Sequence, residues 1–175
     1  VSLCGACMMY HTEYAAGGAQ RLQTLPLRPG RLFGGKLLIA SLVLAGMVAV
    51  ETAALAGCAA PWFPSYTAQL PPLIRNAAFQ WLVTLPTVTL TLVIASVCKN
   101  MWMSLGTGVI LVFTLSIFPQ DNPVLSLFPF SAPYQTLAAA AENGRVLLFS
   151  GVCAAEVAAF VLLELVCQKV RRCAE

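Results

Sequence analysis

The chain has 175 residues, 59% of them hydrophobic and only 10% charged, with a formal net charge of +3 and a mean hydropathy of +0.81. An average soluble domain is about 45–50% apolar and about 25% charged, so the 10 basic and 7 acidic side chains here are too few to solvate a globule of this size. Disorder is excluded too, because it needs high charge and low hydrophobicity; the composition reads as an all-α, polytopic helical membrane protein.

Residues 1–12 are mostly apolar and helix-compatible, yet twelve residues reach only about 18 Å. They read as the inner end of a truncated span whose beginning lies upstream of Val1, so the chain reads as a fragment. A signal peptide does not fit, since no basic region precedes them and no small-residue cleavage site follows. Cys4, Cys7 and His11 have metal-like spacing on one helix face, but a fourth ligand is not evident. All seven cysteines sit in or beside apolar helices, where Cys behaves as a small hydrophobe, so no metal, cofactor or disulfide framework is expected.

Segment 13–36 is the polar approach to the first complete span. Gly30 to Lys36 fits the phosphate-loop pattern G-x-x-x-x-G-K, but Leu37 stands where Ser or Thr must bind Mg²⁺, and no strand precedes it. Lys36 is expected to snorkel at the interface instead. Four full spans follow, at 37–57, 76–98, 101–118 and 146–168. Each is close to the ~20 residues that cross a ~30 Å hydrocarbon core. Glu51 is the only charge between Lys36 and Arg75; 76–98 and 100–120 carry none.

The connections differ in character. Segment 58–75, with Pro61, Pro64, Pro71, Pro72, Trp62 and Tyr66, has interfacial chemistry. Lys99-Asn100 is a tight turn. Segment 119–144 mixes Pro119, Pro123, Pro129 and Pro133 with Leu125, Leu127, Phe128 and Phe130. It is too apolar for a solvated loop and too broken for a span. Short re-entrant or surface-lying helices are expected there, the last over 134–142. Pro86 should kink the second span, with Thr84, Thr87, Thr89 and Thr91 bonding back to the helix or lining a polar path.

Basic residues set the orientation. Arg21, Arg28, Arg31 and Lys36, then Lys99, then Lys169, Arg171 and Arg172 fall on one side under alternating crossings. That side is read as cytoplasmic, with 169–175 as a cytoplasmic tail. The positive charge therefore reflects topology, and nucleic acid is not implied. Small residues recur every four positions, at Ser41, Ala45, Ala49 and Ala53 and at Gly151, Ala155 and Ala159, as close helix packing or a dimer seam requires.

Acids inside a span cost about 2.5–3.5 kcal/mol at mid-helix. Glu51 and Glu156 are candidates for a translocation path; the alternative is that each is protonated or bonded to a neighbouring helix. Glu164 is nearer the inner end and is expected to reach the headgroups. No catalytic set is present, since His11 is the only His and no H-E-x-x-H motif occurs, so an enzyme is not expected.

The run from Glu13 through Gly17-Gly18, Arg21, Leu25-Pro26, Arg28 and Arg31 to Lys36 resembles the cytoplasmic loop of type-2 ATP-binding-cassette (ABC) transporter permeases. In that family an acid ends the second span, a Gly-containing helix and a Leu-Pro-x-x-Arg step follow, and a Lys opens the third span. Gly17-Gly18 replaces the family's usual Gly-Thr pair. The narrower likeness is to permeases of lantibiotic immunity and antimicrobial-peptide export. The resemblance implies a cytoplasmic ABC ATPase partner that grips a coupling helix over about Glu13–Leu25, a second permease chain, and no nucleotide site on this chain. Arg21, Arg28 and Arg31 would then meet acids of the ATPase or anionic membrane lipid. It also implies that cargo, an amphipathic peptide or hydrophobic compound, moves by alternating access. The rival reading is an ATP-independent secondary transporter or channel built on Glu51 and Glu156, and a third is a non-transporting assembly protein.

Overall fold

A computed structural model describes residues 2–15, 29–62, 70–98, 100–117, 127–142 and 144–174. Among these residues all regular structure is helical: α1 (Ser2–Ala15), α2 (Pro29–Trp62), α3 (Leu70–Val97), α4 (Met101–Ser116), a 3₁₀ turn (Ala132–Tyr134), α5 (Leu137–Glu142) and α6 (Val146–Ala174). Three helices contain windows long and apolar enough to cross a membrane, Gly30–Ala59, Leu70–Val97 and Val146–Val170; α4 contributes a shorter apolar stretch, Met101–Thr114. With 16 residues α4 is the short member, about 24 Å long.

The helices overrun the hydrophobic windows read from the sequence, for local reasons. α2 begins at Pro29 rather than 37, because proline's fixed φ suits the first helical position and its missing N–H is not needed there. Gly30 to Lys36 is therefore helix and not a loop. Gly57 does not stop α2. Only Gly144 has a positive φ among the described residues, and a helix needs that left-handed turn to end in the usual glycine cap. α3 likewise starts at Leu70, with Pro71 and Pro72 in its first turn. Asn100 caps α4, its side-chain oxygen accepting from the Trp102 N–H at 3.0 Å.

α3 is the hub. It packs against α1, α2, α4, α5, α6 and the 3₁₀ turn. Half of its most apolar window is buried, against 11% for α2 and α6, so α3 is the inner helix and the other two present their leucines and valines outward. Leu42, Val50, Leu147 and Leu162 are exposed examples. An apolar surface of that extent suits lipid and not water. Tyr10 and Cys7 of α1, Phe33, Leu44 and Val48 of α2 and Val88 and Leu92 of α3 share one core cluster. A second joins Phe79 and Val83 of α3 to Ala132, Ala140, Phe149 and Cys153.

Pro86 lies inside an unbroken α3 and is buried. Three of the threonines around it bond back to the carbonyl one turn earlier: Thr84 to Gln80, Thr89 to Leu85 and Thr91 to Thr87, at 2.7–2.8 Å. Thr87 instead donates to the Pro129 carbonyl of the segment before α5. Gln80 Nε2 donates to the Pro133 carbonyl at 3.1 Å. Thr87 is about 25 Å along the axis from Leu70, so this segment descends past the middle of α3. Its own turns satisfy its amides: Ser131 and Ala132 N–H both reach the Phe128 carbonyl at 2.8 Å. Irregular backbone survives at membrane depth only with such internal partners. Thr136 opens α5, its hydroxyl accepting from Ala139 N–H at 3.3 Å. Gly144, at φ 62°, closes it with Gly144 N–H to Ala141 O and Arg145 N–H to Ala140 O at 3.0 and 2.9 Å, a Schellman pair.

Candidate functional site

The start of α2, the ends of α1, α3 and α6 and the start of α4 meet at one end of the bundle, the end that carries Arg31, Lys36 and Lys169. Gly30 on α2 lies against Leu165 of α6, so closely that a Cβ built on it would stand 2.7 Å from Leu165 Cδ2. Six residues on, Lys36 places its Nζ 3.4 Å from the centroid of the Tyr10 ring of α1. One turn earlier on α1, Cys7 Sγ lies 3.3 Å from Ser104 Oγ of α4.

The fourth contact joins α6 to α3. Glu164 is 1% exposed; Ser96 Oγ is 2.7 Å from its Oε2, and Gln168 Nε2 donates to its Oε1 at 2.7 Å. Ser96 is 2% exposed and also bonds its own helix at Val93 O, 2.8 Å away. These contacts link α2 to α6 and α1, α1 to α4, and α6 to α3.

The placement of the residues singled out in the sequence is uneven. Gly17, Gly18, Arg21, Leu25, Pro26 and Arg28 lie outside the described residues. Glu13 belongs to α1, which runs on to Ala15. Arg31 is exposed and Lys36 half-buried. Glu51 is exposed on α2, while Glu156 is half-buried with its Oε2 shielded and without a hydrogen-bond partner among the described residues. Gly151, Ala155 and Ala159 are exposed, so this ladder does not serve packing among the described residues. Cys4 and His11 are exposed whereas Cys7 turns inward to Ser104. Among the described residues no three His, Cys, Asp or Glu side chains gather as a metal site.

Glu164 corrects the sequence reading. It was expected to reach the headgroups and is instead sealed between α3 and α6. Its partner Gln168 is legible, being four residues on and on the same helical face. Ser96 is not, because nothing local marks which residue of another helix will face Glu164.

A family model described as ABC-2 family transporter protein matches residues 1–115. No curated protein and no solved structure matches the chain.

Proposed function

The chain belongs to the ABC-2 transporter family, and from that premise we propose that it is the permease subunit of an ATP-driven exporter whose cargo is an amphipathic peptide or other hydrophobic compound. The family is a membrane component of ABC transporters, works with an ABC ATPase and is multi-pass in the cell membrane. The export direction, the cargo class, the pairing with a second permease chain and the use of segment 13–36 as the coupling loop are the proposal.

One observation carries it. α1 ends and α2 begins at the end of the bundle that holds four cross-helix contacts, Gly30–Leu165, Lys36–Tyr10, Cys7–Ser104 and Glu164–Ser96. A motor acting there moves helix ends, which is how packed helices rock between two access states about a fixed centre. In this reading the basic end is cytoplasmic, as Arg21, Arg28, Arg31 and Lys36 indicate. Rocking must lengthen or exchange the Ser96–Glu164 bond. That bond then acts as a detent between two arrangements, because a buried carboxyl does not give up a partner without finding another.

The test is co-expression of the full-length protein with candidate ATPases. Substitution of Gly17, Gly18 or Leu25 is expected to lower complex formation and transport-coupled ATP hydrolysis together. Unchanged values of both would refute the coupling role. Collapse of the proton gradient should leave transport intact while ATP depletion stops it; the opposite result would favour the ATP-independent reading built on Glu51 and Glu156.

A further inference from the structure

A cavity of about 340 Å³ lies between α1, α3, α4 and the descending segment 127–134. Its α4 wall includes Leu105 and Val109, one helical turn apart, and Phe130 closes the side of the descending segment. Thr84 and Thr87 supply hydroxyls from α3, and Cys4 stands on α1. Among the described residues that line it, none is Asp, Glu, Lys, Arg or His.

Three features define what would fit. The first is size. The volume is at the small end of the ~300–1,000 Å³ range for ligand pockets, and about twice the ~150 Å³ that holds one benzene ring. A 20-residue helical peptide fills on the order of 2,000 Å³, so it could place at most one side chain or tail here. The second is charge: a cationic or anionic head would find no counter-charge among the described lining residues and would have to be desolvated. The third is proton count. A hydroxyl has one donor and two lone pairs. The Thr84 donor is committed to Gln80 O and the Thr87 donor to Pro129 O. What these two threonines still offer is lone pairs.

We propose that this cavity binds one neutral apolar chain or ring bearing a single hydrogen-bond donor, an alcohol or amide, whose donor meets the Thr84 or Thr87 oxygen. Val109 at 41% and Phe113 at 67% exposure put the mouth on the apolar flank of α4, so the ligand enters from the bilayer. The site rests on the permease reading only in making this ligand, or the tail of a larger one, the cargo.

The test uses full-length protein in phosphatidylcholine nanodiscs without ATP. The probes are 1-decanol, decane and decyltrimethylammonium. Alkylation of Cys4 by a maleimide is followed by peptide mass spectrometry, with exposed Cys58 as internal reference. Decanol is expected to slow Cys4 saturably, about tenfold at ten times its Kd, and to leave Cys58 unchanged. Decane should bind about fivefold more weakly, the value of one net hydrogen bond, and decyltrimethylammonium should give no protection. Leu105→Trp fills the cavity and should abolish protection. The wild-type comparison of probes stands even where that variant fails to fold. Equal slowing of Cys4 and Cys58, or equal protection by the ammonium probe, would overturn the site. With an ATPase partner present, protection without stimulated ATP hydrolysis would refute the cargo role and keep the site; stimulation without protection would refute the site and keep the permease.

Discussion

Replacing Ser96 by Ala removes the hydrogen bond that carries Glu164 across to α3. The hydroxyl and the carboxyl are 2.7 Å apart and are 2% and 1% exposed, so water does not take over the lost bond. Leaving a buried polar atom without a partner costs about 1–3 kcal/mol. Interhelical hydrogen bonds in membrane bundles average about 0.6 kcal/mol and reach about 1.7, because chains unfolded within the membrane find other partners. Short and sealed from solvent, this pair belongs near the upper limit, and a coupling energy of about 1.5 kcal/mol is expected between Ser96→Ala and Glu164→Ala. Glu164→Gln is the discriminating variant. Its amide can donate to Ser96 Oγ and accept from Gln168 Nε2, so it should cost less than about 1 kcal/mol. Reversible unfolding in mixed micelles titrated with dodecyl sulfate, run on the four members of the double-mutant cycle and on Glu164→Gln, measures all of these terms. A coupling energy below about 0.5 kcal/mol, or Glu164→Gln as damaging as Glu164→Ala, would show that Glu164 is not held by hydrogen bonds in the folded protein.

Three further outcomes follow from single contacts. Gly30→Val should push α2 from α6 and cost about 1–3 kcal/mol, whereas Gly30→Ala should cost less because the atom it meets is the movable end of Leu165; Leu165→Ala should rescue both, read as melting temperature in detergent. Thr87→Val deletes the donor to the Pro129 carbonyl at a cost of about 1 kcal/mol, and hydrogen exchange should rise over 127–134 but not in α6. Lys36→Gln removes the cation over the Tyr10 ring and should cost about 0.5–2 kcal/mol, with Lys36→Arg close to wild type, measured by the same unfolding titration.

How much of this was readable beforehand depends on the range of the interaction concerned. Pro29 shows the local limit: hydropathy places the span at 37, but the helix starts where proline's φ allows it, eight residues earlier. Pro129 and Pro133 mark a segment too broken to span, yet only the paired bonds to Thr87 and Gln80 show how far down α3 it descends. Glu51 and Glu156 looked alike as isolated acids in apolar runs; the fold exposes the first and partly shields the second.

The sequence by itself determined that the chain is helical and meant for lipid, where its charge-free runs lie and, through the Glu13–Lys36 pattern, which family it resembles. Hydropathy and short motifs are sums over neighbouring residues, so they survive without knowledge of the fold. The tertiary structure alone decided that α3 stands at the centre, that Glu164 is locked to Ser96, and that a cavity opens beside α4. Each of these depends on which face of one helix meets which face of another, and residues 68 apart acquire that relation only when the helices pack.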